Sequence, residues 1–245
     1  MKAMIFAAGL GTRLYPLTSD RPKALVEVAG KTLLQRAIEK VSSAGYNELV
    51  INIHHFGDQI ISYLKANNNF GQSIAISDER GELLDTGGGI LKAAEWLDGN
   101  EPFLVYNVDV LSTIDLDLFR KYHLERGGVA TLAVRDRSTA RYLAFDESMQ
   151  LTGWKNIQTG EEILSANNPF HILLAFSGIQ LIDPGIFNLI TETGSFPIIR
   201  LYLRLAVNNP IFGYHDQSSL WMDLGKPEEI SEAENYLANA KTVKH

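Results

Sequence analysis

The chain has 245 residues, of which 45% are hydrophobic and 21% charged, which excludes low-complexity disorder and a small disulfide-stapled scaffold. Its 22 Lys and Arg residues against 29 Asp and Glu give a net charge of −7, which argues against a protein that coats nucleic acid over a wide surface. The sequence has no cysteine, so disulfides, thiolate zinc sites and cysteine nucleophiles are also excluded.

Apolar runs alternate with amphipathic patterns through the first half of the chain. Residues 3–8 are nearly all apolar and predict a buried strand. A helix ending near Gly45 is predicted from five apolar residues at helical spacing: Leu33, Leu34, Ala37, Ile38 and Val41. Further strands are expected at 49–53, 73–76 and 103–108, and further helices at 60–64 and 89–96. Such alternation predicts a mostly parallel sheet with helices on both faces.

The second half has more strands and fewer helices. Strand-like segments at 129–134, 142–145, 151–154 and 173–182 are expected to extend the sheet with antiparallel or mixed pairs. Helices are predicted near 116–125, from Asp183 to about 190, and from Pro227 to about 238. No linker, charge block or internal repeat is visible. We therefore expect one α/β domain over residues 1–245, a Rossmann-like three-layer sandwich with a mixed, mostly parallel central sheet.

The residues that follow the first strand carry the strongest chemical signal. Ala8, Gly9, Gly11 and Thr12 belong to a glycine-rich turn whose backbone N–H groups can approach a phosphate closely. Beyond the turn, Arg13 and Lys23 supply two cations. The run is not a P-loop, because the four-residue gap before a Gly-Lys-Ser/Thr ending is missing. It is not the dinucleotide-binding fingerprint either, because the third glycine of that motif is replaced.

Three further segments carry candidate functional residues. Gly87, Gly88 and Gly89 open a predicted helix, where we expect them to allow close approach of a ligand and to aim free N–H groups at it. A flexible loop is the alternative interpretation. Asp109 follows a buried strand, the position at which open α/β sheets place ligands, although a cap or turn former is the alternative. Asp223 lies just before a Gly-Lys-Pro turn into the last helix. The neighbouring His54 and His55 point to opposite faces and predict no joint metal site.

These motifs together resemble the sugar-1-phosphate nucleotidyltransferases. The family signature Ala-Ala-Gly-x-Gly-Thr-Arg-Leu, then Pro-Leu-Thr and Pro-Lys-Ala/Pro-Leu, is matched almost in full by residues 7–25. The resemblance implies the nucleotide-diphospho-sugar transferase form of the fold and the transfer of a nucleotidyl group from an NTP to a sugar 1-phosphate, with release of pyrophosphate. It implies Mg²⁺ as cofactor and a monomer or homodimer without nucleic-acid or membrane partners.

The resemblance also implies roles for individual residues. Arg13 would hold the triphosphate, and Lys23 would bind the α-phosphate together with the sugar phosphate. Asp109 and Asp223 would bind Mg²⁺. Contacts to the nucleotide are expected from five residues: Ala8, Gly9, Gly11, Thr12 and Gly88. Contacts to the sugar phosphate are expected from three: Lys155, Ser177 and Gly178.

This chain departs from the family pattern at several positions. Val108 replaces a glycine and Lys226 replaces a threonine, while Lys155 alone remains of a Glu-Lys-Pro motif and is otherwise read as a solvated lysine. The pair Ser177-Gly178 is equally compatible with a bulge inside a strand.

The substrate stays open between two groups of the family. The short chain and the loop at 84–89 look most like the N-acetylmuramate-1-phosphate uridylyltransferases, with the mannose-1-phosphate guanylyltransferases as the alternative. A glycosyltransferase would need an Asp-x-Asp motif, and residues 107–109 offer only one carboxylate. An inactive nucleotide-sugar-binding relative should have lost one of the four charged site residues, and all four are present. Without a visible leader or membrane span, we expect a cytoplasmic enzyme.

Overall fold

The computed structural model describes residues 1–165 and 172–242. Fourteen strands lie within these residues: β1 (Lys2–Phe6), β2 (Glu27–Val28), β3 (Lys31–Thr32), β4 (Glu48–Ile53), β5 (Ser73–Asp78), β6 (Phe103–Asn107), β7 (Val110–Ser112), β8 (Ala130–Arg135), β9 (Arg141–Phe145), β10 (Leu151–Asn156), β11 (Glu162–Leu164), β12 (Ile172–Ile182), β13 (Ile211–His215) and β14 (Trp221–Asp223). Seven α-helices lie in the same part of the chain: α1 (Leu33–Ser43), α2 (Gly57–Ala66), α3 (Asp85–Lys92), α4 (Ala94–Leu97), α5 (Leu116–Arg126), α6 (Ile198–Leu205) and α7 (Pro227–Thr242).

The described chain divides into two compact units. The first unit comprises residues 1–83, 106–113 and 220–242, and the second comprises residues 84–105, 114–165 and 172–219. The assignment of residues 1–245 to one domain stays a prediction. None of the helices in the described ranges is both long and apolar enough to cross a membrane.

Parallel strands form the centre of the first unit. β1 pairs with β4, and β4 pairs with β5, both in parallel. Residues 3–6 of β1 are apolar, as expected for a strand enclosed on both faces, and Met4 and Ile5 have no exposed surface. Helix α1 begins where the Thr32 hydroxyl accepts a hydrogen bond from the N–H of Gln35, 3.0 Å away. Its five predicted apolar positions are all buried, which confirms the sequence interpretation.

The second unit is largely antiparallel. β12 pairs with β8 and β9, and β10 pairs with β9 and β11, all in antiparallel fashion, whereas β13 runs parallel to β8. The mixed pairing expected for the second half of the chain is therefore confirmed. Parallel and antiparallel ladders accompanied by helices confirm the α/β class with a mixed sheet.

Two predicted elements differ from the structure, and one helix was not predicted. The helix placed at 89–96 is two helices, and α3 already begins at Asp85, so the glycine triplet lies inside the helix. The segment after Asp183 is a short 3₁₀ helix, Pro184–Asn188, which Asp183 caps by accepting from the N–H of Gly185 at 2.7 Å. Helix α6 was not predicted, because its apolar residues are nearly continuous and its start is marked only by Pro197.

One buried histidine in the second unit couples stability to pH. His123 is 3% exposed, and its Nδ1 lies 2.8 Å from the Thr131 hydroxyl. Burial lowers the pKa of His123 from 6.5 to about 4, a larger effect than those of Asp183 and Arg120. Between these two pKa values the unfolded chain takes up a proton that the folded chain does not. The free energy of unfolding therefore falls as the pH falls through this window.

We expect His123 to lower the free energy of unfolding by about 2 kcal/mol between pH 7.5 and pH 5. His123→Gln keeps a polar partner for Thr131 and carries no charge, so its stability should change less over this range. Urea denaturation of both proteins at each pH measures the difference. Identical pH dependence in the two proteins would contradict the assignment.

Candidate active site

The glycine-rich turn after β1 is held by hydrogen bonds at its start, whereas its later N–H groups have no acceptor in the described chain. The N–H groups of Ala7 and Ala8 donate to Asn52 Oδ1, at 2.7 and 3.3 Å. Within residues 1–165 and 172–242, the N–H groups of residues 9–13 have no hydrogen-bond acceptor. A run of N–H groups without acceptors at the end of a buried strand is suited to binding an anion.

Gly11 places the turn against Lys23. Its φ of +67° lies in the left-handed region, and a Cβ on Gly11 would stand 3.0 Å from Lys23 Cβ and from Thr18 Cγ2. The Thr18 hydroxyl donates to the Gly11 carbonyl at 2.9 Å. Both the backbone conformation and this close approach therefore require glycine.

Lys23 and Asp109 form an ion pair within the first unit. Their side chains are only 11% and 20% exposed, and Lys23 Nζ donates to Asp109 Oδ2. The sequence singled out both residues, but it could not place them in contact, because 86 positions separate them. A pair this far removed from solvent holds both charged groups in place, since separating them would leave a charge partly buried.

The turn that carries Asp109 is held by its neighbours. The Tyr106 hydroxyl donates to the Val110 carbonyl at 3.0 Å, and the N–H of Val108 donates to the Phe6 carbonyl at 3.2 Å. Burial, and secondarily the Asp109 carboxylate, raise the pKa of Tyr106, so the phenol stays protonated as a donor. Val108, which replaces the family's glycine, is 5% exposed and packs into the core.

Asp223 lies on the strand next to this turn. β14 pairs with β7 so that Asp223 is opposite Val110, and the N–H of Leu224 donates to the Asp109 carbonyl at 2.8 Å. Asp223 Oδ2 is 3.7 Å from Arg13 Nη1. The fold therefore brings together Arg13, Lys23, Asp109 and Asp223 in one unit, as two cation–carboxylate pairs.

The two carboxylates fit a hard divalent cation. Asp223 Oδ1 is buried, and within the described residues it has no hydrogen-bond partner, so it is an acceptor in need of a ligand. No cluster of three or more His, Cys, Asp or Glu side chains capable of holding a metal occurs in the described ranges. A cation held here would therefore complete its shell with phosphate oxygens and water, as Mg²⁺ commonly does.

The glycine triplet of α3 lies in the second unit and is packed against the protein itself. Gly87 and Gly88 donate their N–H groups to the Phe196 carbonyl at 2.8 and 3.3 Å. A Cβ on Gly88 would stand 2.3 Å from the Gly194 carbonyl oxygen. The expectation that these glycines aim free N–H groups at a ligand is therefore wrong for Gly87 and Gly88, because close packing against residues 194–196 requires them. A nucleotide contact at Gly88 stays a prediction.

The predicted sugar-phosphate residues also lie in the second unit. Lys155 on β10 pairs with Glu162 on β11, with side chains 33% and 40% exposed. Ser177 is buried, and Gly178 has a φ of +75° where the register of β12 with β8 shifts. The bulge that the sequence left open is present here. The roles of Lys155, Ser177 and Gly178 toward a sugar phosphate stay predictions.

Sequence reasoning missed three residues that shape this site. Asn52 anchors the turn, and the buried Glu79 accepts from Asn52 Nδ2 at 2.8 Å. The available signal for Asn52 was an amide inside an apolar strand. Gly225 supports the second ion pair, because a Cβ there would stand 2.6 Å from Arg13 Nη2 and 2.8 Å from Asp223 Oδ1. The sequence signal for Gly225 was its position two residues after Asp223, a spacing that was interpreted only as part of a turn.

Comparisons with known proteins show which family the chain resembles. A sequence model of the nucleotidyl transferase family matches residues 2–148. The chain is 34% identical to N-acetylmuramate alpha-1-phosphate uridylyltransferase of Caulobacter vibrioides, over 97% of each chain. It is 30% identical to a probable mannose-1-phosphate guanylyltransferase of Oryza sativa, over 94% of this chain and 62% of that protein.

Solved structures share the fold. A UDP-glucose pyrophosphorylase complexed with UDP-glucose superimposes with a TM-score of 0.77 over 98% of each chain, at 21% identity. This likeness confirms the expected fold type.

We expect Gly225→Ala to weaken the binding of inorganic triphosphate about tenfold, because the added methyl group displaces the Arg13 guanidinium. The displaced group is the end of a flexible side chain, so the free energy of unfolding should change by less than about 1 kcal/mol. Calorimetric titration and urea denaturation measure the two quantities. Gly81→Ala is the matched control, since a Cβ at Gly81 meets no atom within 4 Å. Equal affinities in the two variants would refute this role of Gly225.

Proposed function

The chain belongs to the nucleotidyl transferase family and is a sugar-1-phosphate nucleotidyltransferase, and from this premise we propose that it transfers the uridylyl group of UTP to N-acetylmuramate 1-phosphate. The observation that carries the substrate proposal is the 34% identity to the Caulobacter vibrioides enzyme over 97% of each chain. Mannose 1-phosphate with GTP is the second candidate, favoured by the Oryza sativa relative at 30% identity.

The reaction joins two anions. A phosphate oxygen of the sugar 1-phosphate attacks the α-phosphorus of the nucleotide, the bond from that phosphorus to the β-phosphate oxygen breaks, and pyrophosphate leaves with the bonding electrons. The barrier comes from charge repulsion and in-line alignment, so the protein must supply positive charge and fixed geometry rather than a nucleophile of its own.

The glycine-rich turn and Arg13 would receive the triphosphate. The N–H groups of residues 9–13 have no acceptor in the described chain, and Ala8, Gly9, Gly11 and Thr12 belong to this turn. The Arg13 side chain is 57% exposed and can reach an incoming anion. We assign to these donors the β- and γ-phosphates, where negative charge accumulates as pyrophosphate departs.

Lys23 would act on the reacting phosphates themselves. In the structure its ammonium group is paired with Asp109. When substrates bind, the same ammonium would donate to the α-phosphate and to the attacking phosphate oxygen, which brings the two anions together. The flexible lysine stem allows this exchange of partners over a short distance.

Asp109 and Asp223 would hold a divalent cation, which we propose to be Mg²⁺. The buried Asp223 Oδ1 without a partner in the described residues supports this assignment. When bound, such an ion neutralises phosphate charge. Asp109 and Asp223 would then be engaged as ligands, and Lys23 and Arg13 would be available to the substrates.

Four residues of the second unit are included in the proposal only because they match the family motifs. Gly88 is proposed to contact the nucleoside. Lys155, Ser177 and Gly178 are proposed to contact the sugar phosphate. Lys155 would exchange Glu162 for a phosphate oxygen in doing so.

We expect Lys23→Ala to lower kcat by at least about 100-fold, because the group that draws the two phosphates together is lost. Pyrophosphate release under saturating substrates measures the effect. Lys31→Ala is the matched control, since Lys31 also pairs with a carboxylate, that of Glu39, but both of these side chains are more than two-fifths exposed. Near-normal turnover by folded Lys23→Ala protein would remove Lys23 from the mechanism.

The substrates are tested by pairing each of the common NTPs with N-acetylmuramate, mannose and glucose 1-phosphates in the presence of MgCl₂. We expect the highest kcat/KM for UTP with N-acetylmuramate 1-phosphate, by at least about tenfold over the other pairs. Pyrophosphate release gives the rates, and mass spectrometry identifies the nucleotide sugar. A preference for GTP with mannose 1-phosphate would replace the proposal by its second candidate.

A further inference from the structure

Two polar side chains are buried behind the glycine-rich turn, at the ends of β4 and β5. Asn52 is 2% exposed and Glu79 is 1% exposed. Their placement follows from strand register: Asn52 is opposite Phe6 on β1 and opposite Ser77 on β5, so its side chain lies beside the residues that follow β1. Burial of an amide and a carboxyl group is costly unless hydrogen bonds compensate it, and the bonds made here lead directly to the turn.

The Asn52 amide uses both of its ends. Asn52 Oδ1 accepts from the N–H groups of Ala7 and Ala8, and Asn52 Nδ2 donates to Glu79 Oε1 at 2.8 Å. An amide can be turned by 180°, which would present its NH₂ group to Ala7 and Ala8, where it could not accept. Glu79 Oε1 accepts in this bond, so it requires the NH₂ group of Asn52 on its own side. Glu79 thereby fixes which end of Asn52 faces the turn.

Glu79 is itself held independently of its carboxylate. The N–H of Glu79 donates to the Ile53 carbonyl at 2.8 Å, and its carbonyl oxygen lies 2.7 Å from His54 Nδ1. A substitution of the Glu79 side chain therefore leaves these backbone bonds intact. This makes the orienting effect of the carboxylate separable from the general stability of the segment.

We propose that Asn52 and Glu79 are positioning residues that set the direction of the N–H groups of residues 9–13. Ala7 and Ala8 directly precede residues 9–13. Their hydrogen bonds to Asn52 therefore fix the position at which this series of N–H groups begins. Without the Oδ1 acceptor, two N–H groups would be buried and unpaired, and the turn would shift to reach water. The link to nucleotide binding rests on the proposed function, whereas the anchoring of the turn does not.

Amide hydrogen exchange in the ligand-free protein tests the anchoring. In Asn52→Ala and Glu79→Leu, exchange at Ala7 and Ala8 should be at least about tenfold faster than in the wild type, while Met4 in the middle of β1 stays protected. Glu79→Gln keeps an oxygen acceptor for Asn52 Nδ2 and should retain most of the wild-type protection. This measurement needs no substrate and decides the anchoring whatever the substrates are.

Steady-state kinetics tests the consequence for substrate binding. Asn52→Ala and Glu79→Leu should raise the KM for UTP about tenfold and leave the KM for N-acetylmuramate 1-phosphate within about twofold. Glu79→Gln should recover the wild-type KM for UTP. Ser77→Ala is the control, because Ser77 is opposite Asn52 on β5 and equally buried, and its hydroxyl has no hydrogen-bond partner in the described chain.

The outcomes distinguish the anchoring of the turn by Asn52 and Glu79 from the proposal that UTP is the substrate. Unchanged exchange at Ala7 and Ala8 in Asn52→Ala overturns the positioning role. Equal losses in Asn52→Ala, Glu79→Gln and Ser77→Ala would also overturn it, because they would indicate only general destabilisation. Faster exchange together with absence of turnover by the wild type on UTP would support the anchoring and refute the proposed substrate.

Discussion

The ion pair between Lys23 and Asp109 is the interaction on which the arrangement of charges in the first unit depends. Both side chains are largely buried, so each charge needs the other in the ligand-free protein. Gly11 contacts the Lys23 stem from one side, and Tyr106 holds the turn that carries Asp109 from the other. The pair therefore joins the glycine-rich turn, the short segment around Lys23 and the end of β6 into one arrangement of charges.

The second pair, Arg13 with Asp223, is more exposed to solvent than the pair of Lys23 with Asp109. Its side chains are 57% and 34% exposed, and such a pair contributes little to folding stability. Because more than half of the Arg13 side chain is exposed, Arg13 can leave this pair, which suits the anion-binding role proposed for it. The two pairs therefore differ: burial holds Lys23 and Asp109 in place, whereas Arg13 and Asp223 remain accessible to solvent.

A negatively charged protein can bind two polyanions because its positive groups are concentrated. The net charge is −7, yet the N–H groups of residues 9–13 lie beside Arg13 on the same short stretch of chain. Partial charges on backbone N–H groups add no formal charge and are fixed by the fold, so they need little reorganisation when a phosphate arrives. In the positioning role proposed for Asn52 and Glu79, hydrogen bonds buried behind the turn help to fix these N–H groups.

Local patterns predicted the elements that depend on local physics. The apolar spacing in α1, the buried run in β1 and the signature through Lys23 were all readable, because side-chain periodicity and turn chemistry are properties of neighbouring residues. Helix α6 was missed although Ile198, Leu201, Tyr202 and Leu205 have helical spacing, because further apolar residues between them make the segment look like a continuous apolar run. Gly87 and Gly88 were misinterpreted because their need for glycine comes from residues 194–196, more than a hundred positions away.

The sequence by itself determined the residue types of the chemistry: two cations, two carboxylates, a glycine-rich turn and the family they resemble. Only the tertiary structure decided which cation meets which carboxylate, that Asn52 accepts from Ala7 and Ala8, and that Gly225 lies against the Arg13 guanidinium. The physical reason is strand register. Pairing β1 with β4, and β7 with β14, brings together residues far apart in the chain, and no local pattern encodes those distances.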